Sequence, residues 1–275
     1  MGATTKNRIA VVTGAGRGLG REVALRLAHE GSKVALVARS SEQVNEAAAA
    51  IVQGGGTAIA IAADISVSAG SQLVKTKIES EFGPPNILIN AAGIFGPLQC
   101  IADSDPQRWL ETFTINTAGP YRMCQAFTTG MVAQGWGRII NYSSAAAFHP
   151  PSPLVSAYAT SKVALNQLTR HLAAELKGSG VTANVLHPGD VKTSMWADIR
   201  QEAEQLGEEG EGYRAWVRWV DETGGDPPAK AADLVSRLTE DEASDVTGQF
   251  LWIEDGLQAP IASWDAPEDD RPWKD

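Results

Sequence analysis

Ile9-Ala10-Val11-Val12-Thr13-Gly14-Ala15-Gly16-Arg17-Gly18-Leu19-Gly20 is the stretch on which the fold turns. Its opening apolar run is too short for a helix and ends at a turn, which predicts a short strand buried on both faces. Glycines then let the backbone turn tightly. A helical pattern follows from Gly18 to Glu30 and stops at Gly31. A strand, a glycine-rich turn and a helix N-terminus in succession aim backbone N–H groups at a site where a pyrophosphate can rest. The spacing is Thr-Gly-x-x-x-Gly-x-Gly. It is not Gly-x-Gly-x-x-Gly, because Leu19 stands where that pattern needs its third glycine. A purely structural turn is the bland alternative.

The alternation continues downstream. Strand signals recur at Val34 to Val37, Ala58 to Ile61, Ile87 to Asn90, Arg138 to Asn141, Val181 to Leu186 and Phe250 to Ile253. Between them, helical patterns run from a Ser41 cap to Gln53, from Val67 to Phe82, and from the Asp105-Pro106 cap towards Gln134. Another runs from Ser156 to Lys177. Repeated βα units predict an α/β fold: one doubly wound parallel sheet of about seven strands with helices on both faces. No linker divides residues 1–260 into two cores, and 261–275 form an acidic, Pro-containing tail.

Residues 194–228 break the rhythm. They follow a strand end, on the side where open α/β sheets bind ligands. A structureless connection of this length predicts a functional lid. Tyr213, Trp216 and Trp219 are three apart, on one helix face. With Trp196 they form either an aromatic wall for a hydrophobic carbonyl compound or the contacts that dock the segment on the core.

Bulk properties narrow the function classes. The 275 residues are 43% hydrophobic, as in an ordinary globular protein. The net charge of −10 argues against nucleic acid or an anionic membrane as partner. Nine acids against three arginines between Asp198 and Asp226 hold much of that excess, a pattern typical of a solvated helix face. No apolar stretch is long enough to span a bilayer and no signal peptide is visible, so a cytoplasmic protein is expected. Cys100 and Cys124 lack metal-ligand spacing and are expected to be buried free thiols. No metal cluster is expected, and Asn141-Tyr142-Ser143 lies in a strand too buried for glycosylation.

The chemistry centres on Tyr158-x-x-x-Lys162. Four residues apart on a helix, both side chains share one face. A phenol alone keeps its proton to about pH 10 and is a poor proton carrier at neutral pH. An adjacent ammonium in a dry site favours the phenolate and is expected to lower that value. The pair also arises by chance in helices, so its context decides.

That context resembles the short-chain dehydrogenase/reductase family. Motifs match in order from about Arg8 to Ala259: Thr13-Gly14 to Gly20, Asp64 after the third strand, and Asn90-Ala91-Ala92-Gly93. Ser144 with Tyr158 and Lys162, then Pro188-Gly189, complete them. The resemblance implies a Rossmann-type fold, a nicotinamide cofactor and a ketone/secondary-alcohol substrate. It implies Tyr158 as general acid/base, Lys162 as the residue that tunes it and holds the nicotinamide ribose, and Ser144 as the hydroxyl that polarises the substrate oxygen. Asn116 would anchor a water behind Lys162, or else merely bend its helix.

For the cofactor, the resemblance implies contacts from Gly14, Gly16, Arg17, Gly18, Leu19 and Gly20. It implies others from Asp64 and Ile65, from Asn90, Ala91 and Gly93, and from Pro188, Gly189, Val191 and Thr193. Asn90 would face the cofactor or brace the sheet. Ser144 lies fourteen residues before Tyr158, one more than usual, which places an extra residue in the loop His149-Pro150-Pro151-Ser152-Pro153. His149 and His187 are expected to be structural.

The position that grips the ribose diol of NAD with an acid is here Ala38, followed by Arg39. With Arg17, two guanidiniums near that ribose favour a 2′-phosphate, hence NADP(H) over a possible NAD(H). Family members are commonly homodimers or homotetramers. Val163, Leu165, Leu168 and Leu172 would supply the interface or simply the core. Two alternatives are a 3-oxoacyl thioester reductase and a catalytically silent, dinucleotide-sensing regulator.

Overall fold

The computed structural model describes residues 5–253. The strands are β1 (Ile9–Thr13), β2 (Lys33–Ala38), β3 (Thr57–Ala62), β4 (Ile87–Asn90), β5 (Gly137–Tyr142), β6 (Val181–His187) and β7 (Phe250–Trp252). They form one seven-stranded sheet in the order β3-β2-β1-β4-β5-β6-β7. Every pairing is parallel. The chain runs outward from β1 to β3, then returns to place β4 on the other side of β1. That reversal opens a crevice at the carboxyl ends of β1 and β4.

Period-two alternation assigns each strand residue to one of two cores. Ala10, Val12, Ile87, Ile89, Ile140 and Tyr142 pack under α1 (Gly18–His29), α2 (Ser41–Gln53) and α9 (Pro228–Leu238). Val11, Leu88 and Ile139 face α3 (Ser68–Glu81), α5 (Gly119–Gln134) and α6 (Ser156–Glu175) on the other side. Leu88 is fully buried, and truncating such a residue to alanine costs about 2–5 kcal/mol.

Several local expectations are corrected. Ser40, not Ser41, caps α2, its hydroxyl accepting from the Gln43 amide. The pattern from Asp105 to Gln134 is broken into α4 (Pro106–Phe113) and α5 by a π-helical turn at Thr114–Ala118. Residues 194–228 are not structureless: they contain α7 (Ser194–Glu204) and α8 (Glu211–Thr223). Some of their acids pair with nearby bases, Glu211 with Arg214 and Arg218, and Asp221 with Lys192. Cys100 is exposed, and only Cys124 is buried. Val163 is exposed whereas Leu165 is buried, so those two do not share one surface. The 261–275 tail lies outside the described residues. No helix among the described residues is long and apolar enough to cross a membrane.

Trp196, Ile199, Ala203, Val217 and Val220 from α7 and α8 make a third apolar cluster against Leu98 and Leu154. Trp196 therefore docks this segment. Trp219 is exposed and belongs to no wall.

Candidate active site

A cleft of about 420 Å³ occupies the crevice. One end is the turn between β1 and α1. Gly14, Gly16, Arg17, Gly18, Leu19 and Gly20 all border it. Gly14 adopts φ 66°, and a side chain there would meet the Ala92 backbone at 2.9 Å. Arg17 sits at the N-cap of α1 without capping it through its side chain. The helix N-terminus thus offers its first amides and positive dipole end to the cleft, a ready anion site.

Arg39 borders the same end, beside Ala38 and Ser40. Asp64 and Ile65 lie nearby. Burial pushes the Asp64 carboxyl up, but hydrogen bonds from Ser66 and the charges of Arg39 and Arg122 outweigh it and hold the group below its usual value. Thr193 reaches over the turn, its methyl 3.6 Å from where a Gly18 side chain would begin. A glycine cradle, an uncapped helix start and flanking guanidiniums fit a dinucleotide.

The other end carries Tyr158 and Lys162 on the first turns of α6, both buried. The Lys162 ammonium lies 5.5 Å from the Tyr158 ring centre and donates to the Tyr142 carbonyl at 2.7 Å. Burial lowers its pKa to about 8. The Ser144 hydroxyl accepts from Ala146 N at 3.2 Å and lies beside Tyr158, where it favours the phenolate. The neighbouring Ser143 borders the cleft, but its hydroxyl is committed to Asn166, to which it donates at 2.5 Å.

The expected lowering of the Tyr158 pKa is not found. Burial pushes it up to about 12, Ser144 pulls it back in part, and the Asp190 carboxylate pushes it further up. Lys162 spends its nearest donor on the Tyr142 carbonyl rather than on the phenol. Asp190 is itself held above its usual value by burial, which outweighs the opposing pull of the nearby Trp216 indole.

Asn116 is fully buried in the π turn. Its amide accepts from Ile94 N at 2.9 Å and donates to Ile94 O at 2.8 Å and to Ser161 Oγ at 3.0 Å. It therefore ties the segment after β4 to α6. Gly93 lies between Asn116 and Lys162, with room for no bulk: a side chain would start 3.2 Å from the amide oxygen and 3.7 Å from the ammonium.

Ala91, Gly93 and Pro188 border the cleft. Three expected cofactor contacts do not. Asn90 is buried and braces the sheet, donating to Asn141 Oδ1 at 2.8 Å. Val191 is buried in an antiparallel bridge with Gly225. Gly189, at φ 82°, makes room for Asp226, whose carboxylate accepts from Asp190 N at 3.0 Å.

Several cleft residues escaped the sequence reading, Phe95 and Asp198 among them. Phe95, two positions past Gly93, stacks on Tyr158, and Asp198 stands on α7 at the cleft mouth. Tyr213 meets Phe95 edge-on at 6.3 Å. His187 accepts from Ala145 N at 3.2 Å and so fixes the turn that carries Ser144.

The model of a family described as short chain dehydrogenase matches residues 8–204. The chain belongs to that family. This short-chain dehydrogenase is 37% identical over 257 residues to the short-chain reductase protein NovJ of Streptomyces niveus, covering 92% of this chain and 95% of that one. Among solved structures, the actinorhodin polyketide ketoreductase with NADPH superposes with a TM-score of 0.83 at 28% identity, covering 93% and 98% of the two chains. L-Sorbose reductase from Gluconobacter frateurii, complexed with NADPH and L-sorbose, gives 0.81 at 26%, covering 95% and 100%.

Proposed function

We propose that this short-chain dehydrogenase interconverts a ketone and a secondary alcohol using NADP(H), with Tyr158 as the general acid/base. The observation that carries the reading is the junction of Tyr158 and Lys162, with Ser144 beside Tyr158, at one end of a cleft whose other end is a glycine cradle. Held by the Gly14 to Gly20 turn, a nicotinamide cofactor would supply or accept the hydride. In reduction the Tyr158 hydroxyl gives its proton to the substrate oxygen, and in oxidation the phenolate takes it back. Ser144 donates to that oxygen and polarises the bond. Lys162 places a positive charge beside the phenol and stabilises the phenolate as it forms. Asn116 keeps Gly93, Ile94 and Ser161 fixed behind Lys162.

Arg17 and Arg39, with Ala38 in place of an acid, support the phosphorylated cofactor. The solved NADPH complexes of the two similar reductases point the same way. We also propose a cytoplasmic homo-oligomer. Exposed apolar side chains at Leu110, Tyr121 and Val163 on α4, α5 and α6 support the association, and light scattering of the purified protein tests it.

Tyr158→Phe tests the mechanism. It should lower kcat by about 10²–10⁴-fold while NADPH binding, followed by nucleotide fluorescence, stays within a few-fold. Full turnover in a folded, cofactor-binding variant would overturn it.

A further inference from the structure

A second cavity, also of about 420 Å³, opens off the reactive cleft and shares Ile94, Phe95 and Asp198 with it. It lies between α4 and α7. On α7 and its C-cap, Asp198, Gln201, Glu202 and Gln205 stand at i, i+3, i+4 and i+7, so one face turns four polar side chains into the space. The opposite face, Trp196, Ile199 and Ala203, is buried in the apolar cluster, which fixes the rotation of the helix. Arg108 and Glu111 face it from α4.

The Arg108–Glu202 ion pair, at 2.5 Å, spans the two helices. The other Glu202 oxygen accepts from Leu98 N at 3.0 Å. These contacts set the width of the cavity and neutralise Arg108. Glu111 and Asp198 have no cation within ion-pair distance among the described residues. The space is therefore anionic and disfavours a phosphate or carboxylate. It also holds two side-chain amides, each of which both donates and accepts. An ammonium would satisfy the carboxylates but offer no acceptor to the amide donors. Hydroxyl groups satisfy both kinds of partner, and the Ile94 and Phe95 side chains offer apolar surface to the carbons that bear them.

We propose that this cavity is the subsite for the hydroxyl-bearing end of a polyol substrate whose reacting carbon lies at Tyr158. The proposal rests on the oxidoreductase reading and names its substrate class.

The test is steady-state oxidation with NADP+ of three hexitols (sorbitol, mannitol and galactitol), with cyclohexanol and 1-amino-2-propanol as comparison alcohols. Wild-type enzyme should favour at least one hexitol over both in kcat/KM. In Gln201→Ala/Gln205→Ala the KM for that hexitol should rise about tenfold with little change in kcat, because the lost contacts act equally on ground and transition states. The hexitol-to-cyclohexanol ratio should fall by the same factor, a readout that general loss of folded enzyme leaves unmoved. An unchanged ratio overturns the subsite. So does a preference for the amino alcohol that collapses in the variant, which would make the cavity a cation site. A wild type that oxidises cyclohexanol but no hexitol overturns the subsite and leaves the reaction standing. A wild type that oxidises none of these alcohols overturns both.

Discussion

The Phe95 ring lies on the Tyr158 ring, centroids 4.6 Å apart and planes inclined by 29°. This contact helps keep water from the phenol, and burial is what holds its pKa up at about 12. On the proposed mechanism the phenolate is the active form in alcohol oxidation, so kcat/KM should rise with pH up to that group's apparent pKa. Phe95→Ala admits water, favours the charged form and should move the alkaline limb down by about one unit. The pH profile of alcohol oxidation measures it. An unmoved limb would show that Phe95 does not govern the phenol.

Lys162 gives a prediction of opposite character. Its folded pKa of about 8 lies below the ordinary 10.5, because burial disfavours the ammonium. Between those values the unfolded chain binds more protons, so stability rises with pH across the window. Holding the charge buried at pH 7 costs about 3 kcal/mol relative to pH above 10.5. Lys162→Met keeps the length and removes the charge. Relative to wild type, its unfolding free energy should therefore fall by up to about 3 kcal/mol between pH 8 and 10.5, while turnover is lost at every pH. Urea unfolding of both proteins across that range decides it, and parallel curves would refute the cost.

These two residues also mark how far the sequence could be read. The strands were legible because Ile9 to Val12 and its counterparts are short apolar runs whose period places each side chain. The cradle was legible because glycine is needed where an added side chain would come within 3 Å of another backbone, as one at Gly14 would at Ala92. Spacing on one helix was enough to pair Tyr158 with Lys162. The direction of the Tyr158 pKa was not legible, since it depends on burial under Phe95 and on Asp190, which arrive from distant segments. The π turn at Asn116 escaped because its cause, an amide bonded to Ile94 and Ser161, is tertiary. Residues 194–228 were misread as a loop because their acids hide a helical face that only Trp196, Ile199 and Ala203 reveal on docking.

On the proposed reading, cofactor choice turns on Arg39. Replacing a guanidinium by a carboxylate at the adenosine end removes an attraction for the 2′-phosphate and adds a repulsion. Arg39→Asp should lower kcat/KM for NADPH by at least about tenfold relative to NADH, equivalent to about 1.4 kcal/mol. Initial rates with both reduced cofactors measure the ratio. A wild type that already prefers NADH would sink the NADP(H) assignment.

His187 links stability at low pH to the turn that carries Ser144. Its Nδ1 accepts from Ala145 N, so the ring must be unprotonated there, and its edge packs on Trp252 at 5.1 Å. Burial holds its pKa down at about 4, with Asp226 pulling it up and His149 pushing it down. The folded value lies below the ordinary 6.5, so the contribution is fully present above about pH 6.5 and is lost as pH falls towards 4, a change of about 3 kcal/mol. His187→Asn places an amide oxygen near the acceptor position and cannot protonate in this range. The variant should start less stable, having lost ring contacts, but the gap to wild type should close by up to about 3 kcal/mol between pH 6.5 and 4. Its kcat should stay within a few-fold of wild type at pH 7, since the Ala145 amide keeps an acceptor and Ser144 its place. His187→Leu, which offers no acceptor, should close the same gap yet lose kcat. Equal turnover in the two variants would show that the hydrogen bond does not position Ser144.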